Sequence, residues 1–452
     1  MRILLWHGYL LSGSGSNIYT ANVAAAWRAQ GHDVVLMCQE HKASRFDFVD
    51  ADGVADGATI GRLVGKEQEG RCTILRPPIG DVLPVYVYDE YEGFTAKRFI
   101  DLSQAELDRY TATNVEAMVA AIEAIEPDAI VTGHEVMGPE IARRACEATG
   151  SKFVTKLHGS ALEYAVKIQE RYLEFAETGL NAAHRVVGGS RYMLDAAAAV
   201  VSGPWHEKAR VVNPGCDVAL FQPVERDPGV RPVVAFVGKL IAAKGVHHLL
   251  AALGLTSSAS FDVVIVGFGG FEQELGSLAQ ALAAGDRRRA LALAEAGDGN
   301  ALESLVAFLV DDPGAAYWRR QAEIPVTFAG RLDHGPLSKR LPYFDVLVAP
   351  SIVPEAFGMV GVEAAASGVL PVVPAHSGIG ELGSRLEEHL GMSGLLTFDP
   401  THPIEGIAAA LDRVLALGVE RRRELGRAAA ELARIQWSWE TVARKLLTAA
   451  TD

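Results

Sequence analysis

Two glutamates and two lysines are the residues of this sequence best placed by type and spacing to do chemistry. Glu355 and Glu363 flank Ala356-Phe357-Gly358-Met359-Val360. Residues 345–349 are an apolar run before them, read as a strand buried on both faces, and Pro350 and Pro354 force a turn after it. After Glu355 a helix of small residues is expected, ending at Gly368. A helix N-terminus presents unpaired N–H groups and a positive partial charge, so phosphate oxygens can lie against the backbone near Phe357 to Met359. Ala356 and Gly358 leave room for that approach. A carboxylate beside a phosphate is repelled by it and aims at hydroxyls, which donate to it. An anion site with acceptors on either side suits a nucleotide sugar. Taken alone, the same spacing also fits an ordinary strand–helix turn with two solvated acids.

Lys239 and Lys244 follow an apolar strand at 233–237 and lie beside Gly238 and Gly245. At a strand end they can meet a diphosphate as point charges. Other strands of this half end the same way. Residues 261–266 lead to Gly267-Phe268-Gly269-Gly270, 326–329 to Gly330-Arg331-Leu332-Asp333, and 370–373 to a loop Ser377-Gly378-Ile379-Gly380-Glu381. Gly-rich or charged loops on one sheet edge make this the nucleotide-binding half. Residues 274–323 look inserted, with helices at 279–295 and 302–309 and Arg287-Arg288-Arg289 inside the first. They read as surface helices or as an oligomer contact, which leaves a homodimer open.

The first half repeats the strand–helix alternation. A strand at 3–6 leads to a Gly/Ser loop with Gly13 and Gly15, then a helix at 18–30. Glycine lets a ligand approach the backbone. Strands follow at 34–38, 72–76 and 85–88, with 41–70 read as irregular and a long helix at 105–125. Asp50-Ala51-Asp52 is a literal DxD, read as part of a turn rather than a metal site. His134 follows a strand at 128–133 and His158 one at 152–157, so both fall at the carboxyl edge, where doubly wound sheets face their ligands. The alternation predicts α/β architecture, with mostly parallel sheets covered on both faces.

The chain has 452 residues, 49% of them hydrophobic and 22% charged, enough for two or three domains. A net charge of -14 gives no electrostatic reason to seek nucleic acid or an anionic membrane. Four scattered cysteines without a CxxC read as free thiols of a reducing compartment. No apolar run reaches the length of a membrane span, and His7, Gly8 and Tyr9 interrupt the short apolar start, so a cytoplasmic location is expected.

Assembled, these motifs resemble the retaining glycosyltransferases with two facing Rossmann-like domains, the GT-B architecture of glycosyltransferase family 4. The likeness covers nearly the whole chain and rests on Gly238-Lys239-Leu240 with Lys244-Gly245, Val266-Gly267-Phe268-Gly269, Phe328-Ala329-Gly330, Glu355-Ala356-Phe357-Gly358 with Glu363-Ala364, and Gly380-Glu381. In the first half, Lys156-Leu157-His158-Gly159 and Asn213-Pro214-Gly215 fall where the family has counterparts. The resemblance implies an acceptor domain at 1–215 completed by a crossing helix at 437–452. It implies a nucleotide-sugar domain at 216–436 carrying the insertion 274–323.

The resemblance also implies roles. Glu355 would hold the hexose and Glu363 the ribose. Lys239 and Lys244 would hold the diphosphate, and His134 would face the sugar. Gly13 or Gly15, Gly238 and Gly267 would admit the donor, the backbone at Leu332 would meet the base, and His158 would contact the acceptor. The implied reaction moves a hexose, from UDP-glucose or UDP-GlcNAc by preference, to a hydroxyl acceptor. No cofactor and no obligatory metal are expected. Lys239 departs from the family's usual arginine, Asn213-Pro214 reverses the usual order, and the first loop lacks paired glycines. An epimerase of the same architecture, or a non-catalytic nucleotide-sugar-binding protein, is the alternative.

Overall fold

The computed structural model describes residues 1–63, 70–87, 91–226, 231–258, 260–300 and 302–452. Tyr88, the expected end of the strand at 85–88, lies outside the described residues. The chain divides into two compact units, Met1–Pro214 with Trp439–Asp452, and Gly215–Ser438.

The first unit holds the strands β1 (Arg2–Trp6), β2 (Asp33–Met37), β3 (Ala51–Val54), β4 (Cys72–Arg76), β5 (Val82–Val85), β6 (Thr95–Arg98), β7 (Ala129–Gly133), β8 (Val154–Lys156), β9 (Arg185–Gly188) and β10 (Ala209–Val211). Eight of these form one sheet in the order β10-β9-β8-β7-β1-β2-β4-β3, with parallel pairing throughout, and β5 pairs with β6 apart. Both faces of β1, β2 and β7 are covered, which is why their sequences show no polar alternation. The first helix, Gly15–Ala29, starts where Ser14 Oγ accepts the Asn17 N–H at 3.4 Å. The last helix, Trp439–Thr451, lies against it: the Trp27 indole N–H donates to the Ala443 carbonyl at 2.9 Å, and Trp439, Val442, Ala443 and Leu446 enter the core.

The second unit holds β11 (Val233–Lys239), β12 (Asp262–Phe268), β13 (Val326–Gly330), β14 (Val346–Val348), β15 (Leu370–Pro374) and β16 (Thr397–Phe398). Their order is β13-β12-β11-β14-β15-β16, again parallel. Strand order therefore reverses between β1 and β7 in the first sheet and between β11 and β14 in the second. Ligands of such sheets bind outside the carboxyl ends at the reversal. Among the described residues no helix is long and apolar enough to cross a membrane, and no three His, Cys, Asp or Glu gather as metal ligands would.

Several local expectations are corrected. Residues 51–54 form a strand and Gly57–Leu63 a helix, where an irregular stretch was expected. Both acids of the DxD are held by arginines: Arg28 grips Asp50 with two hydrogen bonds of 2.8 Å, and Arg76 lies 2.6 Å from Asp52. The helix after Glu355 begins at Met359, because Gly358 takes a left-handed φ of +86°. The expected helix at 279–295 is two, Glu272–Ala283 and Arg287–Ala296, parted at Gly285 with φ +68° and capped by Asp286. The Arg triplet thus opens the second of them. There Arg287 donates to the carbonyls of Leu309 and Val310 at 2.7 and 2.6 Å, tying down another helix end. The loop read at 377–381 is the first turn of the helix Ser377–Leu390.

Candidate active site

The carboxyl ends of β11 and β14 bring Lys244 and Glu355 together across 111 positions of sequence. Lys239 is the last residue of β11, exposed, and among the described residues its ammonium has no carboxylate partner. A turn of 3-10 helix, Ala242–Lys244, then carries Lys244 back toward β14, where its Nζ lies 2.8 Å from Glu355 Oε1. Gly245 permits this approach, since its φ is +69° and a Cβ there would sit 1.9 Å from the Pro350 carbonyl oxygen. Gly267 serves β12 likewise, with a Cβ position 1.9 Å from the Gly238 oxygen.

Glu355 is held from several sides. The Ser351 hydroxyl donates to the same Oε1 that Lys244 meets. The Glu355 N–H donates to Ser377 Oγ at 3.0 Å, and its carbonyl accepts the Gly378 N–H at 2.9 Å. His376 Nε2 lies 3.0 Å from the Ser351 carbonyl oxygen and Nδ1 3.0 Å from Ser377 Oγ. Among the described residues nothing hydrogen-bonds Glu355 Oε2, so that oxygen is the one left for a ligand hydroxyl.

Past Ala356 the chain turns inward. The Phe357 ring is buried against Trp437, with centroids 5.9 Å apart, so only its backbone is available to a ligand. Gly358 caps the helix Met359–Ala366, whose first N–H groups, at Met359 and Val360, have no carbonyl a turn earlier to pair with. Glu363 lies in the second turn, its Oε1 3.3 Å from His334 Nε2. That hydrogen bond raises the His334 pKa above its ordinary value. Leu332 follows Gly330 (φ +70°) and packs its side chain on the core, while Arg331 stacks over Phe268 at 4.7 Å.

In the first unit, the reversal between β1 and β7 carries a cluster of rings. His134 follows β7 with a strained φ of +71°, is 1% exposed, and is walled by Tyr86 (4.9 Å between centroids), His158 (4.8 Å), Tyr9 (5.5 Å) and His7 (6.0 Å). Neither ring nitrogen of His134 has a partner among the described residues. Burial drives the His134 and His158 pKa values well below the ordinary range and holds His7 at about 4, so all three are neutral at pH 7. His158 is the more open of the two histidines named from sequence. Its turn is fixed from below by buried Glu135, which accepts the Gly159 N–H at 2.7 Å. Gly13, with φ +100°, stands in an open loop, while Gly15 is the first helical residue. Asn17 staples this loop, donating to the Ser12 carbonyl at 2.6 Å and accepting from His7 Nε2 at 3.0 Å.

Ser351, His376, Ser377, His334 and Glu135 were given no role in the sequence reading. Ser377 stood inside a quoted loop and Ser351 directly after Pro350, and their signal was position: each follows a strand that ends on the edge carrying Glu355.

Comparison with known proteins agrees with this fold. The model of the glycosyl transferase 4-like domain matches residues 14–215 and that of glycosyl transferases group 1 matches residues 317–432, together more than half of the chain. A D-inositol 3-phosphate glycosyltransferase of Mycobacterium marinum is 31% identical over 246 residues, which are 52% of this chain and 43% of that relative, so the match spans less than half of the relative's length. Sucrose-phosphate synthase of Thermosynechococcus elongatus superposes with a TM-score of 0.59 at 20% identity, covering 99% of this chain and 97% of its own. HepE of Anabaena, in complex with UDP and glucose, gives 0.57 at 17% identity, covering 99% and 98%. At these identities the two structures speak to fold alone. The chain belongs to the glycosyl transferases of group 1, with a glycosyl transferase 4-like first domain and the fold of the GT-B glycosyltransferases.

Proposed function

We propose that this protein moves a hexose from a nucleotide sugar to a hydroxyl acceptor, with retention at the anomeric carbon and without an obligatory metal. The observation that carries the reading is the Lys244–Glu355 pair at the reversal point of the second sheet, where β11 ends on Lys239, an exposed lysine without a carboxylate partner among the described residues. Cleaving the glycosyl–phosphate bond builds negative charge on the β-phosphate. Lys239, Lys244 and the N–H groups of Met359 and Val360 stabilise that charge in place of a metal. Ala356, Gly358 and Gly238 leave the phosphates room. Glu355 Oε2 accepts from a hexose hydroxyl, Glu363 from the ribose, and the backbone at Leu332 meets the base. In the first unit, His158 contacts the acceptor, and a hydroxyl of the bound sugar satisfies a bare nitrogen of His134. The neutral imidazoles keep a lone pair that accepts a hydrogen bond from a hydroxyl, as a cationic ring could not.

That HepE was crystallised with UDP and glucose makes UDP-glucose the first donor to test, with UDP-GlcNAc and GDP-mannose beside it. A thermal-shift panel should single out a uridine donor, and NMR of the product should show the anomeric configuration of the donor kept. An inverted product, or binding to no nucleotide sugar, would defeat the reading.

The ribose role of Glu363 has its own test. Glu363 raises the His334 pKa, so the pair's contribution to stability is full below the unfolded value and is lost as pH rises through the folded one. NMR titration of His334 should show that raised pKa. Glu363→Gln should bring it down. Uridine, which carries the ribose and no phosphate, should also lower it by engaging Glu363. An unchanged titration with saturating uridine would remove Glu363 from the ribose.

A further inference from the structure

A residue other than glycine at positive φ is strained, and the strain persists only where the surroundings demand it. Among the described residues Glu126, His134, Met137, Asp312 and Ser377 adopt it. Of these, Ser377 touches the carboxylate loop described above. Its φ is +52°, and it opens the helix Ser377–Leu390 directly after β15. Glycine would take this conformation freely. The glycine instead stands next door at 378, where a Cβ would lie 2.1 Å from the Ala356 carbonyl oxygen. Position 378 therefore has no room for a side chain, and position 377 carries one at a cost.

The hydrogen bonds show what that side chain does. The Ser351 carbonyl can only accept, so His376 Nε2, 3.0 Å away, bears the proton. In a neutral ring Nδ1 is then the acceptor, and the Ser377 hydroxyl, 3.0 Å from it, donates to it. The oxygen's lone pairs are left for the Glu355 N–H at 3.0 Å. The chain from Ser351 carbonyl to His376 to Ser377 to Glu355 runs in one direction. It closes on itself, because the Ser351 hydroxyl donates to the Glu355 carboxylate.

We propose that Ser377 is a positioning residue: its hydroxyl, oriented by His376, fixes the main chain of Glu355 so that the free carboxylate oxygen meets the donor hexose. This rests on the reading of Glu355 as the hexose-binding acid.

The test compares Ser377→Gly and Ser377→Ala in the full chain. Both lose the hydroxyl, and only glycine relieves the strain. Melting temperature, kcat, and the ratio of UDP-glucose affinity to UDP affinity are read for each. The expected result is that Ser377→Gly melts about 2 °C higher than Ser377→Ala. Both variants should lose about 10- to 100-fold in kcat, alike, as a displaced contact group does. Both should also lose the preference for UDP-glucose over UDP while still binding UDP. Wild-type kcat and preference in Ser377→Gly would overturn the proposal, as would a loss confined to one variant, which would trace the effect to backbone strain. Glu355→Gln separates the two levels. If it is inactive while Ser377→Gly is normal, this proposal alone fails. If Glu355→Gln is itself normal, the assignment of Glu355 fails and takes this proposal with it.

Discussion

Glu355→Gln will leave UDP bound and remove transfer, with kcat falling by about 100- to 1000-fold, the usual effect of deleting a group aimed at the reacting centre. The amide of that variant would keep an oxygen for Ser351 and lose the charge that holds Lys244 at 2.8 Å. The lysine is then free for the diphosphate, so the dissociation constant for UDP should stay level or drop. Glu355 is partly exposed and its loop is pinned through the main chain, so the melting temperature should hold. Calorimetry with UDP and a turnover assay with UDP-glucose check both halves. Turnover near the wild-type rate would remove Glu355 from the site.

Lys244→Ala should do the opposite. It removes a charge-assisted contact to phosphate, which is worth about 1.5–3 kcal/mol, or roughly 10- to 100-fold in the UDP dissociation constant. The loss is compounded because Glu355, left without its partner, repels the phosphates. Lys244→Ala/Glu355→Gln should therefore bind UDP better than Lys244→Ala alone, since two groups in contact do not act additively. Calorimetric titration of the three variants closes the cycle. Strictly additive losses would mean that the two side chains act separately.

Much of the fold was legible because buried parallel strands announce themselves. Residues 3–6, 72–76 and 233–237 are largely apolar runs bounded by turn signals, and each is a strand or falls inside one. The family was legible from loops at strand ends, where residue types answer to a ligand. The failures are local contests of propensity. Ser377-Gly378 reads as a loop because both residues favour turns, yet contact with the 355–356 main chain sets the helix there. Residues 51–54 looked like turns because Asp and Gly are poor strand formers, yet pairing with β4 and the Arg76–Asp52 bridge overrides that. The Lys244–Glu355 pair was hidden for another reason. Sequence placed each beside a phosphate but held no measure of the distance between them.

The helix Trp439–Thr451 has a consequence for how the polypeptide is made. Its Val442, Leu446 and Leu447 are buried in the first unit, at about 1.5–3 kcal/mol each. A domain's whole margin is about 5–15 kcal/mol. During synthesis the helix Gly15–Ala29 must therefore wait, with an apolar seam uncovered, until the second unit and the helix Trp439–Thr451 have left the ribosome. The first unit is therefore completed only after the second has been made.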